Sequence, residues 1–135
     1  MPKSAEIAVV LENEPGTFGR VCRLFAEHRV NIVACMSMPE QGHGLVRFVV
    51  DHVEVAKKAL DNEGLSYRET AVASIRFLHR PGELARAAAR LGDEEINIDY
   101  LYCGVDPNTY MPVIIFGVAD VELAASILDR SSAAA

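Results

Sequence analysis

Two short segments carry the residue types best suited to holding a small anion: Asn13-Glu14-Pro15-Gly16-Thr17-Phe18 and His79-Arg80-Pro81-Gly82-Glu83-Leu84. In both, Pro-Gly stands directly before a helical pattern, with proline setting φ near the first helical position and glycine letting backbone approach a ligand closely. Unpaired N–H groups and the positive end of the helix dipole attract a carboxylate or phosphate at such a place. The Asn13 amide adds both a donor and an acceptor, which suits the polar groups of an amino acid. The same residues also read as plain architecture, with Asn13 or Glu14 capping the helix and Pro-Gly making the turn.

Other chemistry is weaker. Cys35, Met36, Met38 and Cys103 are soft potential ligands for Cu(I), but they lack metal-binding spacing and read as core packing. His28, His43, His52 and His79 are scattered, none at an i, i+4 spacing from another. Tyr100 and Tyr102 alternate within a strand, so their rings share a face, which favours packing or an interface. Ser37, Ser66, Ser74 and Ser126 have no Gly-x-Ser-x-Gly elbow and no evident base. The least implausible catalytic group is His79 as a general base beside Glu83 or Asp99. No metal and no cofactor are expected.

The elements that position the two turns come in two copies. The register of the turns continues without a gap, so that Val30-Asn31-Ile32 lies over Ile96-Asn97-Ile98, and the chain is a tandem repeat. Phe18, Val21, Cys22 and Phe25 have the spacing of a helix's apolar stripe, and Leu84, Ala87, Ala88 and Leu91 match them. A strand over Glu6–Leu11 precedes the first helix, and strands over Asn31–Met38 and Gly44–Asp51 follow it, joined by a hairpin loop at residues 39–43. Val53, Ala56 and Leu60 mark a second helix ended by Gly64, and Leu65–Glu69 reads as a closing strand. The second copy repeats this with a strand at Ala73–Leu78, a helix over 81–91, strands over 96–103 and 110–118, and a helix over 120–129. Val53, Ala56 and Leu60 match Val121, Ala124 and Leu128, so the offset has grown by two, and the extra residues are expected near the strand-to-helix junction.

Each copy thus reads βαββαβ, which predicts an α+β fold of two ferredoxin-like sandwiches in tandem, the second lacking a clear final strand. The expected domains are 1–70 and 71–135. The missing strand leaves Ala73–Leu78 with an unpaired edge, so either one long strand is shared between the two sheets or a second chain pairs there. Ile7–Leu11, Phe48–Val50 and Val113–Phe116 are apolar on consecutive residues, so both sheet faces need cover. The small size of each copy points the same way, and a homodimer is expected.

Composition limits the partners. The chain has 135 residues, 50% of them hydrophobic, and a net charge of −6. Up to Thr70 there are 8 basic and 10 acidic side chains, and after it 5 and 9. Neither half has the basic excess that phosphate neutralisation needs, so nucleic acid and anionic membrane are not expected as partners. Three cysteines without C-x-x-C spacing suit a reducing compartment. The amino terminus lacks the apolar region of a signal peptide, and no stretch nears the roughly 20 apolar residues of a membrane span. Cytoplasm is the expected location.

An N-x-P-G-x-[FL] turn between strand and helix, followed some fifteen residues later by an apolar-Asn-Ile, resembles the ACT domain, a small-molecule regulatory module of amino-acid metabolism. Both copies match over nearly the whole chain, which is similar to the stand-alone tandem ACT proteins. The resemblance implies pairing through sheets and amino-acid binding beside the turn, by Asn13, Pro15, Gly16, Thr17, Phe18, Asn31 and Ile32 in the first copy. In the second, His79 replaces the Asn, and Pro81, Gly82, Glu83, Leu84, Asn97 and Ile98 are the remaining matches. Many ACT turns carry a His two residues before the Asn, where this chain has Leu11, and Glu83 would repel a ligand carboxylate. The first copy is therefore the better binder. The function expected is a non-catalytic sensor of a free amino acid, acting on a separate metabolic enzyme or transporter; a ligand-free adaptor and a small enzyme are the alternatives.

Overall fold

The computed structural model describes residues 3–134; the first two positions of the amino terminus lie outside them. Elements run β1 (Lys3–Glu12), α1 (Thr17–Glu27), β2 (Ile32–Glu40), β3 (His43–Val50), α2 (Val53–Asn62), β4 (Tyr67–Arg76), α3 (Glu83–Asp93), β5 (Tyr100–Val105), β6 (Pro112–Gly117) and α4 (Val121–Ala134). The chain divides into two compact units, Ala5–Thr70 and Met1–Ser4 with Ala71–Ala135.

In the first unit β3 lies between β1 and β2, antiparallel to both. Alternation puts Ile7, Val9 and Leu11 on one face with Val46, Phe48 and Val50, and Val21 and Phe25 of α1 and Ala56 and Leu60 of α2 join that same cluster. Both helices therefore cover one face. Phe25 meets Phe48 edge-on at 5.1 Å, an arrangement that adds to the area it buries. The β2–β3 loop is only Gln41-Gly42, with φ of 47° and 87°, a two-residue turn whose twist suits a hairpin. The strands consequently run on to Glu40 and His43, beyond the expected ends.

The second unit follows the same plan. β6 lies between β5 and the second half of β4, antiparallel to both. Its core is Ala73, Ala87, Leu91, Ile114, Phe116, Ala124, Ile127 and Leu128. The repeat holds to the level of single dihedral angles: Gly16 and Gly82 both have φ 91° and ψ −13°. At the other ends of α1 and α3, Arg29 and Glu95 both sit at φ 58°. There the Val30 N–H donates to the Phe25 carbonyl at 2.9 Å and the Ile96 N–H to that of Leu91 at 3.0 Å, closing both helices with a left-handed residue.

Two complete, separate sandwiches are not what the chain builds. Leu65–Glu69 and Ala73–Leu78, read as two strands, form the single strand β4, whose Tyr67–Thr70 falls in one unit and Ala71–Arg76 in the other. The intervening Thr70, Ala71 and Val72 include no breaker, so extended backbone simply continues. Nor is the second unit left without the strand it lacked, because the first residues of β1 belong to it. Ser4 and Ser74 share a hydrogen bond of 3.0 Å between hydroxyls, and Lys3 pairs with Glu122.

The two extra residues of the second copy also lie elsewhere than expected. Cys35 faces Phe48 across β2 and β3, and Leu101 faces Phe116 across β5 and β6. The offset is thus 66 before the hairpin and 68 directly after it, so the insertion is in the β5–β6 loop. Asp106 organises that loop. Its Oδ2 accepts the Thr109 N–H at 3.0 Å and the Thr109 hydroxyl, and Arg76 stands at 3.6 Å. The hydrogen bonds from Thr109, with the Arg76 charge, hold the Asp106 carboxyl below its ordinary range.

Some residues turned away from these cores are buried as well. Glu6, Ala8, Leu45 and Val49 in the first unit, and Val72, Ser74, Tyr102, Val113 and Ile115 in the second, are buried within one chain.

Candidate functional site

The two Pro-Gly turns are superimposable in their hydrogen bonds. The Glu14 N–H donates to the Glu12 carbonyl at 2.9 Å and the Arg20 N–H to that of Gly16 at 3.1 Å; Arg80 and Leu78, and Arg86 and Gly82, repeat this at 2.9 Å each. Left-handed backbone at Gly16 and Gly82 lies between proline and helix, so Pro15 and Pro81 belong to the turn and not to the first helical position. A Cβ built at either glycine would meet nothing within 4 Å. The space beside both turns is open.

No side chain caps either helix. Asn13, Glu14 and Pro15 are exposed, which removes the expectation that Asn13 or Glu14 serves as the cap. The Thr17 hydroxyl turns back instead, 2.9 Å from the Glu12 carbonyl and 3.1 Å from that of Glu14, and fastens the turn to the end of β1. Among the described residues, the N–H groups of Phe18 and Gly19 meet no protein acceptor. Phe18 is half exposed and lies parallel to Phe48, ring centres 6.0 Å apart. The first turn of α1 contains no acid. Leu11 is buried in the core of its unit and offers no polar group to the turn.

The second turn differs in its side chains. Glu83 occupies the position of Thr17, is buried, and holds Arg80 and Arg86 on its two oxygens, the latter at 3.5 Å. The hydrogen bond from Arg80, with the charges of both arginines, lowers the Glu83 carboxyl below its ordinary range. The helix end thus already has a carboxylate, and two cations surround it. The i, i+3 spacing of Arg80, Glu83 and Arg86 was the signal available in the sequence. His79 and Leu84 are exposed beside them.

The remaining expected site residues do not join these turns within their units. β1 and β2 both run antiparallel to β3, so Asn31 and Ile32, at the start of β2, lie at the opposite end of the sheet from the turn that follows β1. The eleven residues of α1 between them span about 16 Å. Asn31 is held at its own end, its N–H donating to Asp51 at 2.8 Å, and Ile32 packs against the core. Asn97 and Ile98 stand likewise across α3; the Asn97 amide donates to Asp99 at 3.0 Å and Ile98 packs on the second core.

The weaker constellations resolve into packing. Cys35 and Met36 point to opposite faces of β2, as the alternation of a strand requires, and cannot share an ion. Among the described residues there is no group of three His, Cys, Asp or Glu side chains able to hold a metal. Tyr100 and Tyr102 stack, centres 6.3 Å apart. The oxygens proposed to assist His79 are taken up by Arg80 and Arg86 on Glu83 and by Asn97 on Asp99.

The two open turns, of one backbone geometry, stand on a tandem pair of small α+β units. The sequence profile of the ACT domain pair matches residues 3–129, and the chain belongs to that family. Its fold is similar to that of a protein of Bacteroides thetaiotaomicron, with a TM-score of 0.83 at 22% identity over 97% of this chain and 90% of that one. It is also similar to the ligand-free regulatory subunit of aspartate kinase from Thermus thermophilus, with a TM-score of 0.65 at 16% identity over 96% and 93%. The corresponding subunit from Thermus flavus gives 0.61 at 16% identity, again over 96% and 93%. No curated protein matches the chain in sequence.

Proposed function

We propose that the chain is a non-catalytic regulator that binds a free amino acid at the β1–α1 turn, with Asn13, Pro15, Gly16, Thr17 and Phe18 around the ligand. The observation that carries this reading is the contrast between two turns of identical backbone. Open space and unpaired N–H groups are common to both, but α3 has Glu83 in its first turn while α1 has no acid there. A ligand carboxylate supplies at α1 what Glu83 supplies at α3. The half-exposed Phe18 gives an apolar surface beside it. Membership of the ACT domain pair family supports small-molecule regulation, and the Thermus aspartate kinase regulatory subunits supply a fold-level analogy.

The regulated partner on this reading is a separate metabolic enzyme or transporter in the cytoplasm. Among the described residues no helix is long and apolar enough to cross a membrane. The acidic balance of both halves speaks against nucleic acid.

A thermal-shift screen of the twenty amino acids tests the site. A ligand at 100 times its Kd should stabilise the fold by about 2.7 kcal/mol. Gly16→Ala and Gly82→Ala should each cost about 1–2 kcal/mol, and equally, because a Cβ is strained at φ 91° in both. Only Gly16→Ala should abolish the ligand shift. Loss of the shift in Gly82→Ala alone would transfer the site to the second turn. No response to any amino acid would favour the ligand-free adaptor, and turnover would favour an enzyme.

A homodimer is the second part of the proposal. Its support is one row of the first unit's sheet, where exposed Val10 and Met38 flank Leu45 on the face away from the core. The matching row of the second unit is Arg76, Val113 and Gly104, without that apolar exposure. Light scattering should give twice the chain mass and Met38→Lys should halve it, while a mass of 14.7 kDa for the unaltered protein would refute the dimer.

A further inference from the structure

Neither the turn nor its ligand uses the two thiols of the first unit, and the fold gathers them. Cys22 lies on α1 between Phe18 and Phe25, four residues after one and three before the other, on the stripe that faces the sheet. Both phenyl rings pack on Phe48, at 6.0 and 5.1 Å. Cys35 is the residue directly opposite Phe48 in the β2–β3 register and shares its face. Helix and strand therefore direct both sulfurs to the rim of one core, against which each packs half-buried. Burial raises both thiols above their ordinary range, and Cys35 opposes ionisation of Cys22 further, as two neighbouring thiolates would. In the second unit the same two positions hold Ala88 and Leu101, so packing alone needs no sulfur there.

We infer that Cys22 and Cys35 form a reversible intramolecular disulfide that fastens α1 to β2. The oxidant is a low-molecular-weight disulfide. One protein thiolate attacks it, forming a mixed disulfide and releasing one small thiol; the second protein thiolate then attacks the protein sulfur of that bond and releases the other. The two cysteines lose two protons and two electrons, and the oxidant becomes two thiols. Cys103, exposed in the other unit, stops at the mixed disulfide.

The test is tryptic mapping of the full chain after exposure to oxidised glutathione, with free thiols blocked by iodoacetamide. The expected product is the peptide of residues 21–23 joined to that of residues 30–47, in most molecules, with Cys103 carrying glutathione. The joined product should form at least tenfold faster in native protein than in chain unfolded by guanidinium, where only the short sequence separation brings the sulfurs together. It should persist in Cys103→Ser. Recovery of Cys22 and Cys35 on separate peptides would overturn the inference, and so would equal rates in native and unfolded chain.

Discussion

Gly117→Val should destabilise the protein by about 1–3 kcal/mol, the range for forcing atoms into a filled site, and Tyr100→Ala in the same chain should return most of that loss. A Cβ at Gly117 would lie 2.2 Å from Cε1 and 2.3 Å from Cζ of Tyr100. The ring has little room to retreat, since it stacks on Tyr102, which is itself buried. Gly117 and Tyr100 are directly paired across β5 and β6, and the corresponding pair across β2 and β3 is Val49 and Ala34. Each unit thus fills the same place with one large and one small side chain, and the two have made opposite choices of strand. The double variant recreates in the second unit the pair that the first already uses. Urea midpoints of the four proteins decide it, and a double variant as unstable as the sum of its parts would show that the two sites are not interchangeable.

How much of this could be read from the chain depends on whether a signal was local. The Pro-Gly turns, the apolar stripes of α1 and α3 and the Gly64 ending of α2 are each written in a few consecutive residues, and all three are found. The left-handed closure of α1 and α3 had no local sign, because arginine and glutamate occupy the position where glycine or asparagine is usual. Repeat logic divided β4 into two strands but left one long shared strand as an alternative, and with no breaker between its halves that alternative is what forms. The largest discrepancy concerns Asn31 and Asn97. They recur at a fixed distance from the turns in sequence, yet a helix of eleven residues carries the chain to the far end of the sheet before it reaches them. Recurrence in sequence reports a shared scaffold and does not by itself report a shared pocket. Who satisfies the helix ends is a matter of side-chain direction, and only the structure shows Thr17 turned back to the strand and Glu83 enclosed by arginines.

The largest loss is expected from Arg47→Ile. Glu6 is fully buried on the face away from the core of its unit, and Arg47 donates to it at 2.9 Å. Removing the guanidinium takes an ion-pair partner from a carboxylate held out of water, and breaking a buried pair typically costs about 3–5 kcal/mol. Glu6→Val should cost less, because the arginine retains some access to solvent and can carry its charge outward on an apolar stem. The repeat again provides the control. Val72 and Ile115 stand at the matching positions of the second unit, both fully buried, so this place in the fold accepts branched apolar side chains as readily as an ion pair. Glu6→Val with Arg47→Ile should therefore be far more stable than Arg47→Ile alone, and close to the unaltered protein, since well-packed apolar groups often replace a buried pair at no net cost. Guanidinium unfolding of the two single variants and the double completes the cycle. A double variant no better than Arg47→Ile would mean that the arginine acts through packing or other bonds and that the charge on Glu6 is not what it offsets.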